Sequence, residues 1–212
     1  MPEVKNAMAA PWMVAEGLRA GNAFVYQLKR IAAIAVNKAL RGGNPAGCEG
    51  RKMMIESPLG VLRLRPERPD DEAFRFALFC ESRPDLALLP EPARGRILPM
   101  QFRAQALGYR AQFPQARYDI VELAGLSAGR IARDDAGGVL HLIDIALAAP
   151  LRGRGLGILL MRALMDEAKA AGRPMRLAVA DRNPAVRLYL RLGFVAVDRR
   201  DADTVMEWRA PG

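Results

Sequence analysis

Three glycines in five residues constrain this chain more than any other stretch: Gly153, Gly155 and Gly157, in the run Arg152-Gly153-Arg154-Gly155-Leu156-Gly157. An apolar, strand-like segment ends just before the run and an amphipathic, helix-like segment starts just after it. Glycine permits backbone turns closed to other residues, so consecutive N–H groups can point into one concavity, where the helix start adds positive potential. A pyrophosphate is the natural guest. A helix entry that merely needs small residues is the competing explanation. Two well-known phosphate loops do not fit. No Gly-Lys-Ser/Thr follows, and Gly-x-Gly-x-Gly is not the dinucleotide fingerprint, which also belongs to the first strand–helix turn of a parallel unit.

The rest of the chain supplies a setting for that turn. With 212 residues there is room for one sizeable domain and an appendage. Residues 61–65 read as a strand. Pro69-Asp70-Asp71-Glu72 then opens a helix to about Ser82, since acids in a first turn suit the helix dipole. Pro84, Pro90, Pro92 and Pro99 predict a loop, followed by a helix over 100–113 with two apolar stripes, Met100/Ala104/Leu107/Ala111 and Phe102/Ala106/Tyr109/Phe113. Three strand candidates, 118–123, 127–133 and 139–147, are joined by Ala124-Gly125 and by Asp134-Asp135-Ala136-Gly137-Gly138, which predicts an antiparallel meander. A helix then runs to Ala171, with Arg162, Asp166, Lys169 and Arg173 as its solvent stripe, and Gly172 and Pro174 stop it. After a strand over 175–180, Asn183-Pro184 caps and starts a short helix ended by Gly193, and 194–198 and 204–208 close as strands.

The net charge of +9 suits a polyanionic partner, but its distribution matters more. Residues 1–52 hold eight Lys/Arg against Glu3, Glu16 and Glu49, so the excess is concentrated there. Within them, 24–40 could form a basic amphipathic helix, closed by Gly42-Gly43-Asn44-Pro45. Residues 1–52 are therefore expected to be a basic N-terminal extension: a docking helical arm, a loosely ordered arm, or the product of a start upstream of Met53 or Met54. Residues 53–212 form the main domain. Cys48 and Cys80 cannot build a disulfide framework, and no Cys/His spacing suggests zinc, so no metal and a reducing cytoplasmic setting are expected. No uncharged apolar run approaches the ~18 residues of a membrane span, and the start lacks the marks of a secretory signal.

About thirty residues after the glycine turn comes a second constellation, Asn183-Pro184-Ala185, Tyr189 and Leu192-Gly193-Phe194. Taken together, the two resemble the GNAT superfamily of N-acetyltransferases. Arg152, Gly155 and Gly157 match its (Arg/Gln)-x-x-Gly-x-(Gly/Ala) turn, and Asn183, Tyr189, Gly193 and Phe194 match its later Asn…Tyr…Gly-Phe stretch. The resemblance covers roughly residues 58–208 and agrees with the order of elements. It implies a mixed α/β (α+β) fold: a mostly antiparallel central sheet of about six to seven strands flanked by about four helices, beside the N-terminal arm.

The resemblance also implies roles. Backbone amides of Arg152, Gly153, Arg154, Gly155, Leu156 and Gly157 would bind the pyrophosphate of coenzyme A, with the two arginines adding charge. Ile145 to Leu147 and Leu177 to Val179 would form the edges of a splayed strand pair that admits the pantetheine arm. An N–H near Leu147 would polarise the thioester carbonyl. Asn183 would touch the cofactor arm or cap its helix. Tyr189 would protonate the departing thiolate or only pack. For the general base the candidates are Asp144, an acid among Ile143, Ile145 and Leu147 that demands a reason, and Glu122, two strands away. A Cys80–His141–Asp144 relay is a remote alternative.

The function expected is transfer of an acetyl group from acetyl-CoA, the cosubstrate, to a primary amine by direct attack in a ternary complex. The acceptor would be a small molecule or peptide entering over residues 84–113, where Arg83, Arg94 and Arg96 hint at an acidic one. Two alternatives stand beside this: acetylation of aminoacyl-tRNA using the basic arm, and a non-catalytic acyl-CoA-binding module that recruits a partner through its N-terminal helix. Nucleic acid is the less favoured partner, no membrane span is expected, and a homodimer stays open.

Overall fold

The computed structural model describes residues 53–200 and 202–211. The expected basic arm, residues 1–52, lies outside the described residues. Eight strands form one sheet in the order β1-β2-β3-β4-β5-β6-β8-β7. They are β1 (Met54–Ile55), β2 (Leu62–Pro66), β3 (Arg117–Leu123), β4 (Leu126–Asp134), β5 (Leu140–Leu147), β6 (Met175–Ala180), β7 (Val195–Arg200) and β8 (Asp203–Trp208). Five α-helices join them among the described residues: α1 (Glu72–Glu81), α2 (Pro84–Ala87), α3 (Ala93–Gln112), α4 (Leu156–Ala170) and α5 (Val186–Arg191). Every neighbouring pair of strands is antiparallel except β5 and β6.

The meander follows from its turns. Ala124 and Gly125 both have positive φ, 55° and 79°, so the β3–β4 hairpin closes in two residues with Leu123 opposite Leu126. Such a turn matches the twist of the strands it joins. The extra strand β1 is only two residues, pairing Met54 with Arg63 and Ile55 with Leu62, which is too short to carry a period that a sequence reader could find.

Helix α4 forms because its apolar residues recur at helical spacing. Leu156, Leu160, Met161, Leu164, Met165 and Ala168 are buried, while Arg162, Asp166 and Lys169 face solvent as expected. It packs on one face of the sheet, where Arg133 of β4 reaches Glu167. On the opposite face α1 and α3 meet through Phe79 and Phe102, whose ring centroids are 5.6 Å apart.

The proline-rich segment corrects an expectation. Residues 84–99 are not a continuous loop: Pro84 opens the one-turn α2, and α3 begins at Ala93 rather than Met100, with Pro99 inside it. Proline suits a first turn, where its missing N–H has no helical partner. Inside a helix it deprives the carbonyl four residues back, here that of Gly95, which is exposed to water. Of the two apolar stripes on α3, only Phe102/Ala106/Tyr109 turns inward. Met100 and Leu107 remain 62% and 69% exposed.

Candidate active site

The turn after β5 has the geometry that its glycines allow. A short 3-10 segment, Ala149–Leu151, leads into it, and buried Leu151 and Leu156 anchor its two ends. Gly153 and Gly155 have φ of 71° and 80°, in the left-handed region. Neither position is crowded, so backbone conformation rather than space demands glycine. Arg152 N–H donates to the Ala149 carbonyl and Ile158 N–H to the Gly155 carbonyl. Between them, the amides of Gly153, Arg154, Gly155, Leu156 and Gly157 find no acceptor among the described residues. Five consecutive open donors thus sit at the start of a 15-residue helix.

The strand that delivers this turn parts from its neighbour. β5 and β6 pair for only three rungs, Leu140 with Met175, His141 with Arg176 and Leu142 with Leu177. Beyond them β5 continues along β4 to Leu147, and β6 continues along β8 to Ala180. The edge of the gap therefore starts at Ala178, since Leu177 still belongs to the last rung. Opposite Gly129, Leu147 has its N–H and carbonyl turned away from β4, because the Ala148 N–H already donates to Ala128 at 3.0 Å and alternate amides point to opposite sides. The Leu147 N–H thus faces the gap. Gly129 makes this register possible: a Cβ there would lie 2.5 Å from the Ala146 carbonyl oxygen and 2.8 Å from the Leu147 side chain.

A bulge decides where Asp144 goes. Ala132 faces Asp144 and Arg133 faces Leu142, leaving Ile143 as an extra residue in β5. In regular alternation Asp144 would share the α4 face with Leu142. The bulge turns it to the α1–α3 face instead, where its carboxylate accepts from Arg130 Nη1 at 2.9 Å. Arg130 is held in turn by Glu67 at 3.0 Å, and Glu67 by Arg75 at 2.6 Å. Burial pushes the Asp144 carboxyl above the usual carboxylate range, and the Arg130 charge opposes it.

Two cavities meet at this aspartate. One, of about 160 Å³, occupies the gap between the parted strands and is lined by Ala178, Val179 and Tyr189. The other, of about 190 Å³, lies between the sheet and α1–α3. Tyr109, Asp144, Ile145 and Asn183 line both. Tyr189 is buried beside Phe194, and burial together with the Asp144 charge raises its phenol. Asn183 does not cap α5, whose cap position is Ala185; its Oδ1 accepts from Ala185 N–H at 2.9 Å in the turn before that helix, and it borders the gap.

Other candidates stand elsewhere. Glu122 is committed to Arg65 at 2.7 Å, in a cluster with Asp71, and lines neither cavity. The Cys80 thiol is pushed up by burial, and neither Cys80 nor His141 lines the cavities. Arg152, expected to offer its charge to the turn, donates instead to the Leu147 carbonyl at 2.8 Å and to Glu81 at 2.9 Å. Arg154 is exposed, and no hydrogen bond or ion pair holds its side chain among the described residues. Among the loop arginines, Arg94 pairs with Glu91 at 2.9 Å and Arg83 lies over the Phe79 ring.

Sequence reasoning missed Tyr109 and Arg130. Tyr109 lies in a stripe that reads as packing, yet its phenol enters both cavities and is pushed up to about 12, first by burial and then by Asp144. Arg130 looks like an ordinary strand arginine until its neighbours are known. Among the described residues no cluster of His, Cys, Asp or Glu could hold a metal ion, and no helix is long and apolar enough to cross a membrane.

Comparison with solved structures agrees with this architecture. The chain is similar to the PaiA N-acetyltransferase of Thermoplasma acidophilum, solved with coenzyme A, at 16% identity and a TM-score of 0.54, covering 70% of this chain and 99% of that one. It is similar to RimJ of Mycobacterium smegmatis, solved with CoA-disulfide, at 18% identity and a TM-score of 0.53, covering 75% and 87%. An acetyltransferase of Thermus thermophilus matches at 21% identity and a TM-score of 0.50, covering 70% and 97%. At these identities the likeness speaks for the fold. No curated protein matches the chain. The family model described as "Acetyltransferase (GNAT) family" matches residues 76–194, from α1 through the glycine turn to the end of the Asn183–Phe194 stretch. That match spans more than half of the 212 residues, and the chain belongs to the GNAT acetyltransferase family.

Proposed function

We propose that this protein transfers an acetyl group from acetyl-CoA to a small primary amine by direct attack in a ternary complex. The observation that carries this reading is the run of five unsatisfied amides, Gly153 to Gly157, opening beside the parted β5 and β6. A diphosphate fits the amides, and an extended arm fits the gap. When bound, acetyl-CoA supplies the activated acyl group.

Around it the chain's residues have separate tasks. Asp144, ionised, takes the proton of the incoming ammonium directly or through a water. The amine nitrogen then forms its bond to the acyl carbon as the carbon–sulfur bond breaks. The Leu147 N–H faces the gap and can donate to the acyl oxygen as negative charge grows there. Tyr189 returns a proton to the leaving sulfur, a step that matters because a free thiol has a pKa near ~8.5 and would otherwise leave as thiolate. Tyr109 borders the same space and is the second candidate for that proton. Neutral phenols suit the role, and burial keeps both protonated.

Calorimetry with coenzyme A on the full chain tests the carrying observation. Micromolar binding in the wild type and loss of about tenfold or more in Gly155→Ala are expected, since a side chain in the left-handed region costs roughly 1–2 kcal/mol. No association with the wild type would sink the reading. Thiol release across a panel of amines separates an enzyme from a non-catalytic binding module.

A further inference from the structure

The cavity on the acceptor side restricts what can be acetylated. Its volume of about 190 Å³ is below the ~300–1,000 Å³ of sites for drug-sized ligands, so only a small group enters. One wall is apolar and aromatic: Leu78 and Phe79 are buried on α1, and Phe102 of α3 packs on both Phe76 and Phe79, with centroids 5.4 and 5.6 Å away. The sheet side has one carboxylate, Asp144, and one guanidinium, Arg130, while a second guanidinium, Arg75, comes from α1 itself and lies over the Phe102 ring at 5.7 Å. Glu67, which pairs with both arginines, is 8% exposed and not part of the lining.

This distribution admits a single positive charge. An ammonium at Asp144 has its counterion there, whereas a second ammonium in the same cavity would meet Arg75 and Arg130 with no further carboxylate. It would also lose water against phenylalanine and leucine. Resting on the acetyltransferase reading above, we propose that the acceptor is a small monoamine bearing a flat apolar group, such as an aromatic ring, which lies against Phe79 and Phe102 while its amine meets Asp144. Diamines, polyamines and lysines flanked by basic residues are discriminated against. The transfer step is the one already written: the carbon–nitrogen bond forms, the carbon–sulfur bond breaks, and one proton leaves the amine while another reaches the sulfur.

The experiment compares kcat/KM for phenethylamine, 1,5-diaminopentane and spermidine by thiol release from acetyl-CoA, using the full chain, with coenzyme A affinity measured in parallel. Phenethylamine is expected to exceed both polycations at least tenfold, the scale of a filled apolar subsite. Phe102→Ala should lower the phenethylamine value about tenfold through KM, well beyond any loss in the diamine value, while coenzyme A affinity stays as in the wild type. Phe102→Leu, which keeps the wall apolar and α3 packed, should recover part of it. If coenzyme A binds normally but a polycation is used as well or better, or Phe102→Ala leaves the preference intact, the inference falls and the acetyltransferase reading stands. If coenzyme A does not bind and no amine releases thiol, both fall.

Discussion

Arg130 is the residue on which the chemistry of Asp144 turns. Burial raises the carboxyl and the guanidinium 2.9 Å away holds it down. In the proposed mechanism Asp144 must be ionised to act, so removing the positive charge raises its pKa further and moves the acidic limb of the rate profile to higher pH. On the acidic side of the displaced limb, Arg130→Gln should therefore lower kcat/KM by about tenfold per unit of displacement, with recovery toward pH 9, in a profile measured from pH 5 to 10. A purely structural defect would depress all pH values alike. Tyr189→Phe is expected to lower kcat by about 10²-fold with coenzyme A affinity intact. The same change at Tyr109 should cost less, and a steady-state comparison of the two variants assigns the acid. Full activity in Tyr189→Phe would transfer the role. Asp144 could be named from sequence as an acid set among Ile143, Ile145 and Leu147, and Tyr189 through its place in the Asn…Tyr…Gly-Phe stretch of the resemblance. Arg130 and Tyr109 could not, because their importance lies in partners 14 to 63 residues away or in a cavity built by other elements.

At the scale of elements, what could be read depended on period. The α4 pattern is regular, and its burial is the pattern realised: Leu164 has no exposed surface. Leu164→Ala is expected to destabilise the protein by about 2–5 kcal/mol in urea unfolding, the cost of a core cavity, with little change in the slope of the transition. The strands of the meander were legible because alternation and glycine-containing turns act locally. The start of α3 was not, because proline signals a break without saying whether a helix begins after it or contains it. The bulge at Ile143 was equally hidden, since an extra residue in β5 is defined only by its register on β4. Yet that bulge is what brings Asp144 to the face covered by α1 and α3. The longer elements were thus readable, the short β1 and α2 were not, and the aim of individual side chains was set by pairing.

For the whole molecule, the described residues carry one hydrophobic core that extends from Leu62 in β2 to Trp208 in β8. A chain lacking residues 1–52 is accordingly expected to keep its coenzyme A affinity within about twofold, measured by the same calorimetry. Salt-sensitive RNA binding that disappears with this truncation would favour the aminoacyl-tRNA alternative. Within the sheet, the first five strands and the last three are stitched by the three rungs from Leu140 to Leu142. Past that seam the two strands no longer pair with each other among the described residues, and the wedge between them is open. In the proposed complex a guest gripped by both lips of the wedge stands in for the missing rungs, so the sheet would become continuous only in company, and occupancy and mechanical coherence would rise together.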